Sequence, residues 1–407
     1  MKKILPILFL TLLLDMIGIG MVIPLIPTLF TDPTSPSFIL HGFPQGSWYL
    51  LAGIVTALFG LMQFIAAPIL GELSDVYGRK KLLTMGVAVL AVSQMLFGMG
   101  VHISSLALVL ISRAIAGVAG ANFSIAQASI ADVTEPKDRA KNFGLIGAAF
   151  GTGFIVGPVM GGWLAHTFDA ATPFWVAGAM GVLNLMFITL FLPETMTERG
   201  PKRPFTLLRG IHNIRAAFMD ADARPVYLSS FLYMSGFAFY TSFVGILLVS
   251  KFAFTESSVG TFFGAAGVWI VITQLFIIRM LARKYSERSI LRCTLLMLAV
   301  SIAIYPFVPT APLLYVIIPF LAVPQGLSMS NMSAMISKGV SAEKQGAALG
   351  INGSLLALSQ GVIPVIAGLA TSLISVRVPF MIGSFVILMA WCNLFVFTKR
   401  PLHVHST

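Results

Sequence analysis

Two ionised side chains lie deep inside apolar segments of this chain, and both are of types that take part in proton chemistry. Asp15 lies in the first apolar segment and Arg113 in the fourth. A charge at the centre of a bilayer costs about 2.5–3.5 kcal/mol on insertion scales, so charges that persist there usually serve a function. We therefore predict that Asp15 carries a proton and that Arg113 tunes it. A purely structural ion pair is the alternative.

Helix geometry places the two charges at similar depths. With a rise of about 1.5 Å per residue, Asp15 lies roughly 16 Å from the start of its segment and Arg113 roughly 13 Å from the start of its own. In an apolar core about 30 Å thick, both levels are near the midplane. The sequence therefore permits either a direct or a water-bridged interaction between the two side chains.

The composition indicates a polytopic membrane protein. Apolar residues make up 57% of the 407 residues and charged residues 10%, and the mean hydropathy is +0.92. A water-soluble domain of this length could not expose so apolar a surface without aggregating. Lys2 and Lys3 precede a long apolar run without a cleavage site, which indicates an uncleaved first span. The two cysteines, Cys293 and Cys392, suggest neither a disulfide framework nor a metal site.

Stretches of about 20 apolar residues, long enough to cross a bilayer as helices, recur along the whole chain. We predict an all-α membrane protein with twelve transmembrane helices in two six-helix halves. Numbered in chain order, the predicted spans are 4–30, 48–73, 82–101, 104–130, 141–166, 171–192, 225–250, 257–282, 289–309, 311–336, 344–373 and 377–398.

A polar stretch after span 6 divides the chain. We predict an N-terminal six-helix half over 1–192, a cytoplasmic linker over 193–224 with one surface helix near Phe205–Met219, and a C-terminal six-helix half over 225–407. The halves resemble repeats, because an offset of 206 residues aligns glycines and a proline of spans 5 and 11. The aligned pairs are Gly147 with Gly353, Pro158 with Pro364, and Gly162 with Gly368.

Basic residues are distributed unequally between the two predicted sides. Of the 26 Lys and Arg residues, 23 fall on the side of the termini, leaving Lys251 and Arg377 opposite and Arg113 inside the membrane. The positive-inside rule predicts that both termini are cytoplasmic, in a multi-pass protein of the bacterial inner membrane. The rule also explains the net charge of +11 through topology and contact with anionic lipids, without nucleic acid.

Distinctive motifs lie in and around spans 1, 2, 4 and 5. They are Leu14-Asp15-Met16-Ile17-Gly18-Ile19-Gly20 with Pro24 and Pro27-Thr28, Gly71-Glu-Leu-Ser-Asp75-Val-Tyr-Gly78-Arg79-Lys80-Lys81, Arg113-Ala-Ile-Ala-Gly117-Val-Ala-Gly120-Ala121, and Gly147-Ala-Ala-Phe-Gly151-Thr-Gly153-Phe-Ile-Val-Gly157-Pro158-Val-Met-Gly161-Gly162. The set resembles the major facilitator superfamily, in particular its tetracycline/proton and drug/proton antiporters. The C-terminal half matches less well, since its copy of the loop motif has decayed to Arg283-Lys284-Tyr285-Ser286-Glu287-Arg288.

The resemblance implies two moving parts. In the loop after span 2, Gly71, Asp75, Gly78 and Arg79 act as a cytoplasmic gate that closes in the outward-open state, and without the resemblance the cluster would be a solvated loop. In span 5, the residues of the antiporter motif offer a side-chain-free stripe and a kink against a neighbouring helix. These residues are Gly147, Gly151, Gly153, Gly157, Pro158, Gly161 and Gly162. Plain helix packing explains the stripe equally well.

Neutral polar and aromatic side chains along the spans are candidates for a substrate cavity, which the resemblance places between spans that include 1 and 4. Interhelical hydrogen bonds or core packing are the alternative for each one. The candidates are Gln63, Asn122, Phe123, Gln127, Tyr233, Tyr240, Trp269, Gln274, Gln325, Asn352 and Gln360.

The sequence therefore predicts a proton-coupled secondary active transporter that exports a small amphipathic or drug-like compound by alternating access. A metabolite or siderophore carrier of the same fold is the alternative. An intramembrane enzyme or receptor is a remote one, because no hydrolase, metalloprotease or nucleotide-binding motif occurs. The predicted partners are the small-molecule substrate, protons and the lipid bilayer, with no cofactor, metal, nucleic acid or obligatory protein partner. Where tetracycline exporters carry acids in spans 3 and 9, this chain has Ser93, Gln94 and Ser301.

Overall fold

The computed structural model describes residues 4–134, 139–196, 223–341 and 345–397, together with residues 211, 214, 215, 218 and 219. Within these residues there are helices and no strand, and twelve helices are long and apolar enough to cross a membrane. This confirms the predicted all-α membrane fold. The observed spans are Ile4–Thr31, Gln45–Tyr77, Arg79–His102, Leu106–Asp132, Gly147–Thr167, Thr172–Phe191, Arg224–Phe252, Glu256–Ala282, Glu287–Phe307, Ala311–Lys338, Gln345–Leu373 and Val378–Phe395.

Two spans of the N-terminal part are interrupted, which hydropathy did not predict. Span 1 consists of Ile4–Gly20 and Leu25–Thr31, and the turn between them ends at Pro24, which lacks a backbone N–H. Span 4 consists of Leu106–Ala119 and Asn122–Asp132. The second break makes Asn122 the first residue of a helix at membrane depth, where side chains can be aimed at Asp15.

Other spans depart from a regular α-helix near their ends or middle. Span 8 contains a π-helical turn at Thr273–Ile277 between Glu256–Ile272 and Ile278–Ala282. Span 9 ends in a 3₁₀ turn at Tyr305–Phe307, and the helix of span 5 begins before its apolar part, at Arg139. Pro158 and Pro364 lie inside helices that continue past them.

Helix packing follows a regular plan. Span 1 packs on spans 5 and 6, span 3 on spans 4 and 6, and span 2 on span 4. In the C-terminal part, span 7 packs on spans 11 and 12, and span 9 on spans 10 and 12. The two parts meet chiefly where span 2 packs on span 11 and span 5 on span 8. The predicted linker and its surface helix lie largely outside the described residues, so the boundaries of the halves remain a prediction.

The closest backbone contacts between the two parts extend from one side of the bundle to its middle. We call the side where span 1 begins and span 12 ends the termini side, and the other the distal side. On the distal side Gly53, Gly368 and Gly260 press against backbone atoms of the opposing helix, whereas Gly71 and Gly353 on the termini side have open space around them. Glycine permits close helix contact because it has no side chain. The helices therefore seal the distal side and diverge toward the termini side.

Candidate functional site

Asp15 lies in the interior of the N-terminal part and is 5% exposed. Each of its carboxylate oxygens accepts one hydrogen bond from a side-chain amide. Asn122 Nδ2 donates to Oδ2 at 3.2 Å, and Asn184 Nδ2 donates to Oδ1 at 3.1 Å. Among the described residues no cation pairs with this carboxylate. Gain or loss of one proton therefore changes the charge of the whole site.

Further polar groups surround this carboxylate. Gln94 Nε2 donates to the carbonyl oxygen of Gly18 at 3.0 Å. In the part of the chain that the structure describes, Thr11 Oγ1 and Asn184 Oδ1 are buried without a hydrogen-bond partner. A cavity of about 10 Å³, at the lower limit for one water molecule, is lined by Leu14, Asp15, Gly18, Leu90, Ala91, Gln94, Ala177 and Gly181.

The Asp15 side chain points toward helices of the N-terminal part. The resemblance places the substrate cavity between spans that include 1 and 4, whereas the neighbours of Asp15 in this conformation belong to spans 3, 4 and 6. Span 5 instead covers another face of span 1, where Gly153 lies against Met16 and Gly157 against Ile17. The Asp15 site is thus enclosed by the N-terminal part, on the side of span 1 that packs on spans 3, 4 and 6.

Arg113 lies between two aromatic rings. Its guanidinium carbon is 5.5 Å from the ring centroid of Phe59 and 5.6 Å from that of Phe97. Its Nε atom is buried without a hydrogen-bond partner among the described residues, and no direct ion pair joins Arg113 to Asp15. Cation–π contacts stabilise a desolvated cation by about 2 kcal/mol or more. The ion pair left open by the sequence is therefore absent in this conformation, and aromatic faces take the place of the acid.

Two of the predicted gate residues in the loop after span 2, Asp75 and Arg79, belong to a compact ionic cluster on the termini side. Arg79 Nη1 lies 2.5 Å from Asp75 Oδ1, and Arg79 Nε lies 3.1 Å from Asp132 Oδ2 at the end of span 4. Arg79 Nη1 also donates to Ser74 Oγ at 2.6 Å. All of these partners belong to the N-terminal part, so the cluster ties the ends of spans 2, 3 and 4 together. Gly71, the first residue of the motif, has open space around it.

Glu194 accepts hydrogen bonds from the first residues of span 3. Gly78 has a φ of +102°, a backbone region that favours glycine. The Glu194 carboxylate lies against Gly78 and accepts hydrogen bonds from the backbone N–H groups of Arg79 at 2.9 Å and Lys80 at 3.3 Å. A carboxylate at a helix N-terminus satisfies unpaired N–H groups and opposes the helix dipole favourably. Span 6 is thereby tied to the gate loop.

The antiporter motif of span 5 packs against two different helices. Gly153, Gly157 and Gly161 approach the backbone of span 1, and Gly162 approaches Glu256 of span 8. The carbonyl of Pro158 also faces span 8, where it meets Gly260. By contrast, Gly147 has open space around it and Gly151 meets only a side chain of Val271. Close packing accounts for part of the motif and not for its termini-side glycines.

Several predicted cavity residues make interhelical hydrogen bonds instead of lining free space. Asn122 Nδ2 donates to Asp15 Oδ2 at 3.2 Å, and Gln63 Nε2 donates to the carbonyl oxygen of Gly120 at 3.2 Å. Ser230 Oγ donates to Asn352 Oδ1 at 2.7 Å. Tyr240 is a core residue, 4% exposed and packed edge-on against Tyr305 and Phe380. Asn122 and Tyr240 are thus engaged inside the protein in this conformation, and their assignment to a substrate cavity stays a prediction.

The other cavity candidates are distributed over both parts of the protein. Tyr233 donates to Gln325 Oε1 at 2.9 Å, and Gln274 Nε2 donates to Ser330 Oγ at 3.0 Å. Trp269 is 36% exposed, and Gln360 is exposed beside Gly60. Phe123 belongs to a row of rings that crosses from spans 4 and 5 to span 8, while Gln127 is half-buried. The rings of this row are Phe123, Phe150, Phe154 and Phe263.

Sequence reasoning missed three residues of the site. Asn184, the second amide on Asp15, is an isolated polar residue in an otherwise apolar span 6, which was a usable signal. Glu194 and Asp132 follow the ends of spans, where acids are common, and no sequence pattern links them to Arg79. Their roles became visible only when spans 3, 4 and 6 were brought together.

The twelve spans, their packing plan and the buried carboxylate define a polytopic helical membrane protein. A model of the Major Facilitator Superfamily matches residues 8–244 and 226–407. Because these matches cover almost the whole chain, the protein belongs to the Major Facilitator Superfamily.

Two individual relatives are drug-resistance proteins by name. The chain is 28% identical to the class C tetracycline resistance protein of Escherichia coli, over 86% of this chain and 84% of that protein. It is 29% identical to multidrug resistance protein 1 of Bacillus subtilis (strain 168), over 99% of this chain and 98% of that protein. The crystal structure of the human organic anion transporter MFSD10 shares the fold, with a TM-score of 0.74 and 24% identity over 97% and 99% of the two chains.

Proposed function

We propose that this protein exports a small amphipathic, drug-like compound in exchange for protons. The observation that carries the proposal is Asp15, a buried carboxylate held by two neutral amides and paired with no cation of the described residues. Such a group can change its charge during a transport cycle, and a site of this kind inside a membrane bundle is costly unless it is used. The similarity to tetracycline and multidrug resistance proteins supports the choice of cargo.

In the proposed cycle the predicted halves, 1–192 and 225–407, rock about the cargo. The present arrangement, closed on the distal side, is the state open to the cytoplasm if the termini are cytoplasmic. Proton uptake or release at Asp15 alters the hydrogen bonds to spans 4 and 6, and spans 1 and 5 transmit the change through their glycine contacts to the interface with span 8. Arg113 holds its charge between aromatic rings and changes the local field as the spans move.

Transport by the purified protein in liposomes tests this proposal. With an acidic lumen, the parent protein should accumulate ethidium or tetracycline as protons leave, and Asp15→Asn should bind the compound yet lose accumulation by at least about tenfold. Asp32→Asn is the matched control, because Asp32 bonds only within its own loop to Thr34. Gradient-driven accumulation by Asp15→Asn at the parental level contradicts the assignment of Asp15.

An anionic metabolite is the second candidate cargo. Arg113 carries a guanidinium without an acidic partner among the described residues, and such a cation favours an anion nearby. Anionic and cationic amphiphiles, added in parallel to the outside of the same liposomes, distinguish the two cargoes. Preferential accumulation of the anions, lost in Arg113→Gln, would replace drug export with metabolite transport.

A further inference from the structure

We propose that a basic pocket at the termini-side ends of spans 3 and 6 binds the phosphate head group of an anionic phospholipid. The pocket has a volume of about 480 Å³ and is separate from the Asp15 site. It is lined by Lys80, Lys81, Thr84, Met85, Thr189 and Glu194. Basic pockets between transmembrane helices near the membrane surface suit such head groups.

Two ammonium groups supply the positive charge. Lys80 Nζ donates to the carbonyl oxygen of Thr189 at 3.0 Å, which holds it at the pocket wall and leaves two of its three donors available. Lys81 is exposed, and its Nζ lies 5.8 Å from the centroid of the Tyr77 ring. Neither lysine forms an ion pair with an acid of the described residues. Both can therefore contact a phosphate without breaking an existing salt bridge.

The one acid of the pocket is already occupied by backbone donors. Glu194 accepts hydrogen bonds from the N–H groups of Arg79, Lys80, Thr195 and Met196 at 2.9–3.3 Å. These four donors offset its charge and fix it against the protein. The nearby acids Asp75 and Asp132 are paired with Arg79. Lys80 and Lys81 thus remain as the available charges of the pocket.

The surface beside the pocket favours a lipid over a free anion. Met85 lines the pocket and is 54% exposed, while Met186 and Leu190 on span 6 are 55% and 73% exposed. These side chains continue from the pocket along the lipid-facing side of spans 3 and 6. A head group on the lysines would place its acyl chains along this apolar surface, so one ligand satisfies both features.

Native mass spectrometry of the detergent-solubilised full chain, titrated with dioleoylphosphatidylglycerol, tests the proposal. A lysine near an anionic lipid contributes a factor of about five in affinity. We expect Lys80→Gln/Lys81→Gln to bind this lipid roughly 25-fold more weakly, and Lys81→Gln alone, which keeps the Lys80–Thr189 bond, roughly fivefold more weakly. Arg283→Gln/Lys284→Gln is the matched control, since both residues are exposed on the same side and lie outside the pocket.

Each alternative ligand gives a distinct result. Equal binding of phosphatidylcholine or phosphatidylethanolamine would show that the anionic head group is not recognised and would overturn the proposal. Displacement of the lipid by millimolar glycerol phosphate would identify a free-phosphate site. An equal loss of affinity in the control variant would show that the effect arises from the overall charge of the protein and would overturn the proposal.

Discussion

The carbonyl oxygen of Pro364 in span 11 lies directly against Gly53 in span 2, too close for any side chain at position 53. The carbonyl of Pro158 in span 5 makes the same contact with Gly260 in span 8. Each proline is thus paired with a glycine of the other part, once on either flank of the molecule. These two contacts close the distal side, and they involve the prolines that the repeat alignment pairs.

Alanine at Gly53 or Gly260 is expected to force the distal side apart. A Cβ at either position would overlap a backbone carbonyl, and overpacking of this kind costs about 1–3 kcal/mol, a population shift of roughly 5- to 150-fold. Spin labels at Gln45 and Leu373, in a variant without Cys293 and Cys392, report the distal separation. Gly353→Ala is the control, because its Cβ meets open space. An unchanged distance distribution in Gly53→Ala and Gly260→Ala would mean that these contacts do not hold the closed state.

Removal of the Asn184 amide should act through Asp15 and, separately, through the carbonyl oxygen of Thr11, which accepts a hydrogen bond from the same Nδ2 atom at 3.3 Å. Asn184→Leu leaves Asp15 Oδ1 without its donor, and a hydrogen bond to a charged group contributes about 1.5–3 kcal/mol. A double-mutant cycle with Asp15→Asn, measured by chemical unfolding in mixed micelles, isolates this contribution. We expect a coupling free energy in that range. Additivity within about 0.5 kcal/mol would show that the contact contributes nothing to stability.

Phe97 should stabilise the Arg113 cation beyond its apolar packing. Phe97→Leu keeps the site apolar but removes one ring face, at a cost of about 0.5–2 kcal/mol in cation–π energy. That part of the cost should disappear in an Arg113→Gln background. Phe380→Leu serves as the control, since Phe380 is fully buried against Tyr240 in the C-terminal part and should be additive with Arg113→Gln. Equal coupling for both phenylalanines contradicts the cation–π assignment.

Loss of the Asp75 charge should loosen the gate loop. The Asp75 side chain is half exposed, and exposed ion pairs contribute about 0.2–1 kcal/mol, so Asp75→Asn should shift the gate population by no more than about fivefold. Asp132→Asn should have a larger effect because Asp132 is the less exposed partner of Arg79. Distances between spin labels at Tyr77 and Gln345 measure both changes. Identical distance distributions in the parent protein, Asp75→Asn and Asp132→Asn would mean that the loop acts only as a topology signal.

Hydropathy was sufficient to predict the number of spans, because each helix must present about 20 apolar residues to lipid whatever its neighbours are. It could not predict the breaks at residues 21–24 or at Gly120, since an interrupted helix has the same length of apolar sequence. Asp15 was predicted as buried, but its partner Asn184 was not, because the adjacency of spans 1 and 6 is a property of tertiary packing. The hydrogen bond from Asn122 to Asp15 was not predicted for the same reason: the residue type of Asn122 is visible in the sequence and its direction is not.

The π-helical turn at Thr273–Ile277 affects how span 8 aligns with the equivalent span of homologous proteins. A π turn holds one residue more than an α turn, so everything after it is displaced by about 100° around the helix axis. Gln274, which reaches Gly326 and Ser330 of span 10, lies on that turn. A homologue that is one residue shorter here could retain every distal contact of span 8, yet it would present a different set of side chains to span 10.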